Sequence, residues 1–143
     1  MTPDEARLSI SDLYRATRDA IGGTWEVGTR TWVSCRASSG KEGASFHLGA
    51  QRSAADLPDD PSVIAQRVRT LWSSTGIPAE IYFDESIPQY RLSYPRQGAG
   101  PGPDGYILRL AVGEKFADFS GSSRCVPGDS YELDLGEVGR HDE

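Results

Sequence analysis

Small and apolar residues recur through the first twenty positions at helical spacing. Ala6, Ile10, Leu13, Tyr14, Thr17 and Ile21 fall three or four apart, with Arg7, Asp12, Arg15, Arg18 and Asp19 opposite them, the pattern of an amphipathic helix laid on something apolar. Thr2 as N-cap, Pro3 at the first helical position and Glu5 completing a capping box mark its start, and Gly22-Gly23 its end. The period then changes to two. From Trp25 to Cys35, alternation puts Trp25, Val27, Val33 and Cys35 on one face of a strand and Glu26, Arg30, Trp32 and Ser34 on the other. After a Ser/Gly turn, Phe46, Leu48 and Ala50 face inward on a second strand while Ser45, His47 and Gln51 face away.

Asp60-Pro61 opens a second helix, with Val63, Ile64, Val68, Leu71 and Trp72 as its apolar stripe and Gly76 as its stop. The remainder alternates again. Ile81 and Phe83 oppose Glu80, Tyr82 and Asp84; Tyr90, Leu92 and Tyr94 oppose Gln89, Arg91 and Ser93. Leu108, Leu110 and Val112 oppose Ile107 and Arg109, and Phe116 to Cys125 forms the next strand. The Gly/Pro-rich stretch from Gln97 to Gly105 reads as a hairpin loop. Ser130 to Leu135 reads as a short edge strand. The pattern predicts an α+β domain over residues 1–135, order α-β-β-α-β-β-β-β, and a flexible acidic tail over 136–143. Its sheet is antiparallel, of about five to six strands, with two helices packed on one face.

Composition narrows the class without naming an activity. With 143 residues, 37% hydrophobic and 25% charged, the chain is one globular domain. A net charge of −6 argues against nucleic acid or an anionic membrane as main partner. No run is apolar enough to be a signal peptide or transmembrane segment, so the chain is either cytoplasmic or the part that follows a removed export segment. Cys35 and Cys125, both at predicted strand ends, are either a disulfide joining the two ends of the sheet or two buried thiols, according to compartment.

Gly22-Gly23-x-Trp25 after a leading helix, then Cys35, an Asp60-Pro61 helix ending at Gly76, and Ser120-Gly121 before Cys125-Val126-Pro127 form an ordered set. This set resembles the small actinobacterial lipoproteins of the LppA-like kind over roughly Pro3 to Pro127. The resemblance implies an α+β domain outside the cytoplasmic membrane, with its cysteines bonded. It carries over no functional residue, and the lipidated cysteine of that pattern is not present here.

Reactive chemistry is sparse. His47 and His141 are the two histidines. No HExxH, CxxC or G-x-S-x-G motif occurs, so neither a zinc site nor a hydrolase triad is expected. Gly98-x-Gly100-x-Gly102 contains two prolines and precedes a strand, which suits a linker better than a phosphate loop. Asp129, Glu132, Asp134 and Glu137 lack EF-hand spacing and read as solvated. The expectation is a non-enzymatic, cofactor-free and metal-free binding domain, extracytoplasmic and secreted or anchored. Its partner would be another protein or a cell-envelope component. The sheet face expected to lie open carries the candidate contact residues Arg30, Trp32, His47, Tyr82, Arg91 and Arg109, with Ile107 among them. The alternative is an immunity-type protein that occludes a basic toxin.

Overall fold

The computed structural model describes residues 1–37 and 39–140, except for the side chain of Pro103. The elements are α1 (Pro3–Ile21), β1 (Trp25–Arg36), β2 (Glu42–Arg52), α2 (Pro61–Ser74), β3 (Glu80–Asp84), β4 (Gln89–Tyr94), a 3-10 turn (Pro103–Gly105), β5 (Ile107–Val112), β6 (Ala117–Ser122) and α3 (Ser130–Glu137). Six strands make one antiparallel sheet in the order β1-β2-β6-β5-β4-β3. The hairpin β1–β2 and the meander β3 to β6 are thus joined along β2 and β6, where Leu48 pairs with Gly121 and Ala50 with Phe119.

The capping signals work as their chemistry requires. Thr2 and Glu5 satisfy each other's backbone N–H groups in a capping box, and Asp60 accepts from Ser62 N at 2.9 Å. The helices α1 and α2 lie on one sheet face, over Phe46, Leu48, Leu92, Leu108, Leu110 and Phe119, each at most 2% exposed. Burying a side chain such as Phe46 or Phe119 contributes about 2–3 kcal/mol. Thr17, in the apolar stripe of α1, joins the helices: its hydroxyl donates to the Leu13 carbonyl at 2.7 Å and accepts from the Trp72 indole at 3.0 Å.

Strand β1 departs from simple alternation. Val27 pairs with Ala50 and Thr29 with Gly49, which leaves Gly28 as the extra residue of a bulge, the usual meaning of an isolated glycine inside a strand. One extra residue exchanges the faces. Trp25 and Val27 point toward the helices, and past the bulge so do Arg30, Trp32 and Ser34, opposite Leu48, Phe46 and Ala44. Trp32 is 5% exposed and Val33 40%, the reverse of strict alternation.

Ser130–Glu137 is a helix, not an edge strand, and it takes in the first two residues of the expected tail. Asp129 caps α3, accepting from Tyr131 N and Glu132 N at 2.9 and 3.1 Å. Asp134 then accepts from Trp32 N and from the Thr31 hydroxyl, both at 3.0 Å, and so occupies the outer edge of β1. Glu137 is buried: its Oε1 accepts from Arg7 Nε at 2.8 Å and from the Trp32 indole at 3.2 Å. Arg7, expected on the polar side of α1, is 1% exposed, with its guanidinium carbon 5.4 Å from the Phe46 ring centre. The domain therefore extends past 135 through Glu137. His141 and the last two residues lie outside the described part.

Cys35 and Cys125 form a disulfide, with Cα atoms 5.9 Å apart. Cys125 stands beyond β6, where Val126 makes a bridge to Ala44. The bond crosses Gly43, the partner of Cys35 in β2. A Cβ at Gly43 would lie 2.3 Å from the Val126 carbonyl oxygen and 3.2 Å from Cys125 Sγ, so only glycine fits beneath the crossing.

Candidate functional site

The sheet face turned away from α1 and α2 is built by register. One row across it runs Thr31, His47, Ser122 and Ile107; the next runs Thr29, Gly49, Ser120, Arg109, Ser93 and Glu80. A third runs Gln51, Asp118, Ala111, Arg91 and Tyr82. Small side chains at Gly49, Ser120, Ser122 and Ala111 leave shallow hollows, among them two of about 230 and 250 Å³. One lies among Tyr82, Gln89, Arg91 and Asp118, the other among Thr29, His47, Ile107 and Ser122, and Arg109 borders both.

The charged groups are held differently. Arg91 pairs with Asp84 at 3.5 Å. With its oxygen turned toward the guanidinium, the Gln89 amide accepts from Arg91 Nη2 and Nε at 2.7 and 2.8 Å. The Asp84 carboxyl sits below its usual range chiefly because the Ser86 hydroxyl donates to it. Arg109 is exposed, and its guanidinium has no hydrogen-bond or ion-pair partner among the described residues. Burial raises the Asp118 carboxyl and lowers the His47 imidazolium, since removing water disfavours the charged form of each.

His47, Tyr82, Arg91 and Arg109 are thus brought onto one surface, together with Ile107. Arg30 and Trp32 are not. The bulge at Gly28 turns both to the helix side, where Trp32 packs on Phe46 at 5.3 Å between ring centres and Arg30 donates to the Arg140 carbonyl beyond α3. Asp118 and Ser120 join the surface; their signal was the alternation with Ala117, Phe119 and Gly121 in β6. His47 makes no hydrogen bond to a serine or carboxylate among the described residues. Among those residues no three His, Cys, Asp or Glu side chains converge as a metal site, and no helix is long and apolar enough to cross a membrane.

Fold and surface together define an α+β domain with one sheet face under helices and the other bare. A crystal structure of a DUF4853 family protein from Actinomyces odontolyticus has a similar fold, with a TM-score of 0.52 at 13% identity. The alignment covers 86% of this chain and 65% of that one. At that identity the likeness is one of fold. No family model matches the sequence, and no curated protein does.

Proposed function

We propose that this domain is a non-catalytic, exported, lipoprotein-like binding module that holds another protein of the cell envelope against its bare sheet face. The observation that carries the reading is Arg109, an exposed cation at the centre of that face whose guanidinium has no partner among the described residues, between a hollow bordered by Tyr82 and one bordered by His47. Aromatic and arginine side chains supply much of the energy of protein contacts. An unpaired arginine favours a partner that brings a carboxylate to it. The Cys35–Cys125 bond fits an oxidising compartment outside the cytoplasm. As a second reading, the net charge of −6 suits an immunity-type protein facing a basic toxin; such a contact would avoid Arg91 and Arg109.

The test places a photo-crosslinking residue at position 109, and as a control at position 8, in cells that make the protein natively. A discrete protein adduct from position 109 alone is the expected result. With that partner purified, Arg109→Glu combined with Tyr82→Ser weakens binding at least tenfold and leaves thermal stability unchanged. Equal affinity of wild type and double variant would overturn the proposal, as would identical adducts from both positions.

A further inference from the structure

On the helix side, remote from the bare face, a further hollow opens between α1, the turn joining α2 to β3, and the segment around Tyr94 and Tyr106. Its volume is about 500 Å³, within the range of small-molecule sites. Leu8, Leu13, Ile77, Tyr94 and Tyr106 form its apolar wall. Leu8 lies outside the buried stripe of α1 and is 43% exposed here. An apolar side chain on that side of the helix has no core to join.

The polar groups of the hollow divide into those already engaged and those still open. Asp12 is paired with Arg15, the Ser9 hydroxyl donates to the Ala6 carbonyl at 2.7 Å, and the Thr75 hydroxyl donates to the Trp72 carbonyl at 2.8 Å. Tyr94 and Tyr106 meet edge to face at 6.1 Å, and neither hydroxyl has a hydrogen-bond partner among the described residues. Burial, and secondarily Tyr94, pushes the Tyr106 hydroxyl up to about 12, so it remains a donor at neutral pH. The guanidinium of Arg124, an exposed residue that lines the hollow, has no ion-pair or hydrogen-bond partner among the described residues either, while its backbone carbonyl accepts from the Ser123 hydroxyl at 3.0 Å. Its backbone is held in place from the next residue, where Cys125 is bonded to Cys35 and donates its N–H to the Asp104 carbonyl at 2.8 Å. Among the side chains the open polar groups are thus one cation, Arg124, and two neutral hydroxyls, beside an apolar wall that the Met1 side chain also lines.

We infer that this hollow binds a single-chain amphiphile with an anionic head, a medium-chain carboxylate by class, its chain along Leu8, Ile77 and Tyr94 and its head at Arg124. The apolar wall accounts for the chain, and the unpaired guanidinium selects the sign of the head.

Isothermal titration calorimetry below the micelle concentration tests this with decanoate and decyltrimethylammonium, which share a chain and differ in charge. Decanoate binds saturably, one per chain, and the ammonium at least tenfold more weakly. Arg124→Glu weakens decanoate at least tenfold and removes or reverses the preference. Leu8→Asp, on an exposed position and checked for folding by circular dichroism, abolishes binding of both, whereas Arg109→Glu on the opposite face changes neither. Absence of saturable decanoate binding overturns the inference. So does equal affinity for the two head groups, or an Arg124→Glu protein that binds decanoate like wild type.

Discussion

Glu137→Gln isolates the charge that docks α3. The Arg7 and Glu137 side chains are 2% and 5% exposed, and the Nε–Oε1 contact is 2.8 Å. The new amide can still accept from Arg7 and from the Trp32 indole, so the loss is that of a counter-charge beside a buried cation. Breaking such a pair costs about 3–5 kcal/mol. For a chain of 143 residues, at an unfolding entropy of about 2.1 cal/mol/K per residue, that is a fall of about 10–17 °C in Tm. A ceiling applies, because lifting α3 would hydrate Arg7 at the expense of the Asp134 contacts to β1. The measured cost is therefore the smaller of the pair penalty and the free energy of docking α3. Hydrogen exchange at the Trp32 amide, which donates to Asp134, tells local release from global unfolding. Adding Arg7→Met removes both charges and places a thioether against Phe46, a favourable contact. The double variant should then lie within about 1–2 kcal/mol of wild type by urea denaturation. The reasoning fails if Glu137→Gln shifts neither Tm nor amide exchange, or if the double variant is as unstable as the two single changes summed.

Reducing the Cys35–Cys125 bond, which spans a separation of 90 residues, should cost about 4–5 kcal/mol by loop entropy. Urea midpoints with and without dithiothreitol measure it, and an unmoved midpoint with both thiols alkylated would refute the estimate. Deleting Gly28 restores strict alternation, so Trp32 cannot keep its place on Phe46 while Val27 keeps its place opposite Ala50. No cooperative thermal transition is expected. By contrast, Gly28→Ala adds a Cβ that meets nothing within 4 Å and should remain folded. Burial lowers the His47 pKa below its ordinary 6.5, so the unfolded chain binds more protons between the folded value and 6.5. Stability therefore rises with pH through that window and is lost on acidification. An NMR titration of His47 should have its midpoint below 6.5, and His47→Asn should flatten that part of the stability profile.

The caps and periods were legible because each rests on local chemistry: Thr2 with Glu5, Asp60 with Pro61, and the alternation of β2 to β5. What was not legible depends on parts distant in the chain. Arg7 sits one position from Ala6 on the stripe of α1, and its burial is decided by Glu137 at the far end of the sequence. Tyr131, Leu133 and Leu135 alternate as a strand would, yet Tyr131 and Leu135 are 73% and 57% exposed. Asp134 and Glu137, three apart on a helix, make the contacts instead, and the local sign of that helix was Asp129 as N-cap. Gly28 carried the one available warning that β1 changes face. Without it, Arg30 and Trp32 fall on the bare surface; with it, both belong to the anchorage of α3, and the surface keeps His47, Tyr82, Arg91 and Arg109.

This exchange of faces also bears on how a partner can dock. Sheet edges are the common alternative to sheet faces, because an outer strand offers unpaired backbone groups to an incoming one. At β1 that route is closed where Asp134 takes the Trp32 N–H and α3 lies alongside. At the other edge, β3 is five residues long and ends in Glu80 and Asp84, a short strand with charge at both ends, which resists strand addition. The broad surface left is the face whose side chains come from all six strands in register. Arg109 lies well inside it, in the fourth of the six strands, where a partner's carboxylate would be more shielded from water than at a rim, and a buried charge contact counts for more than an exposed one.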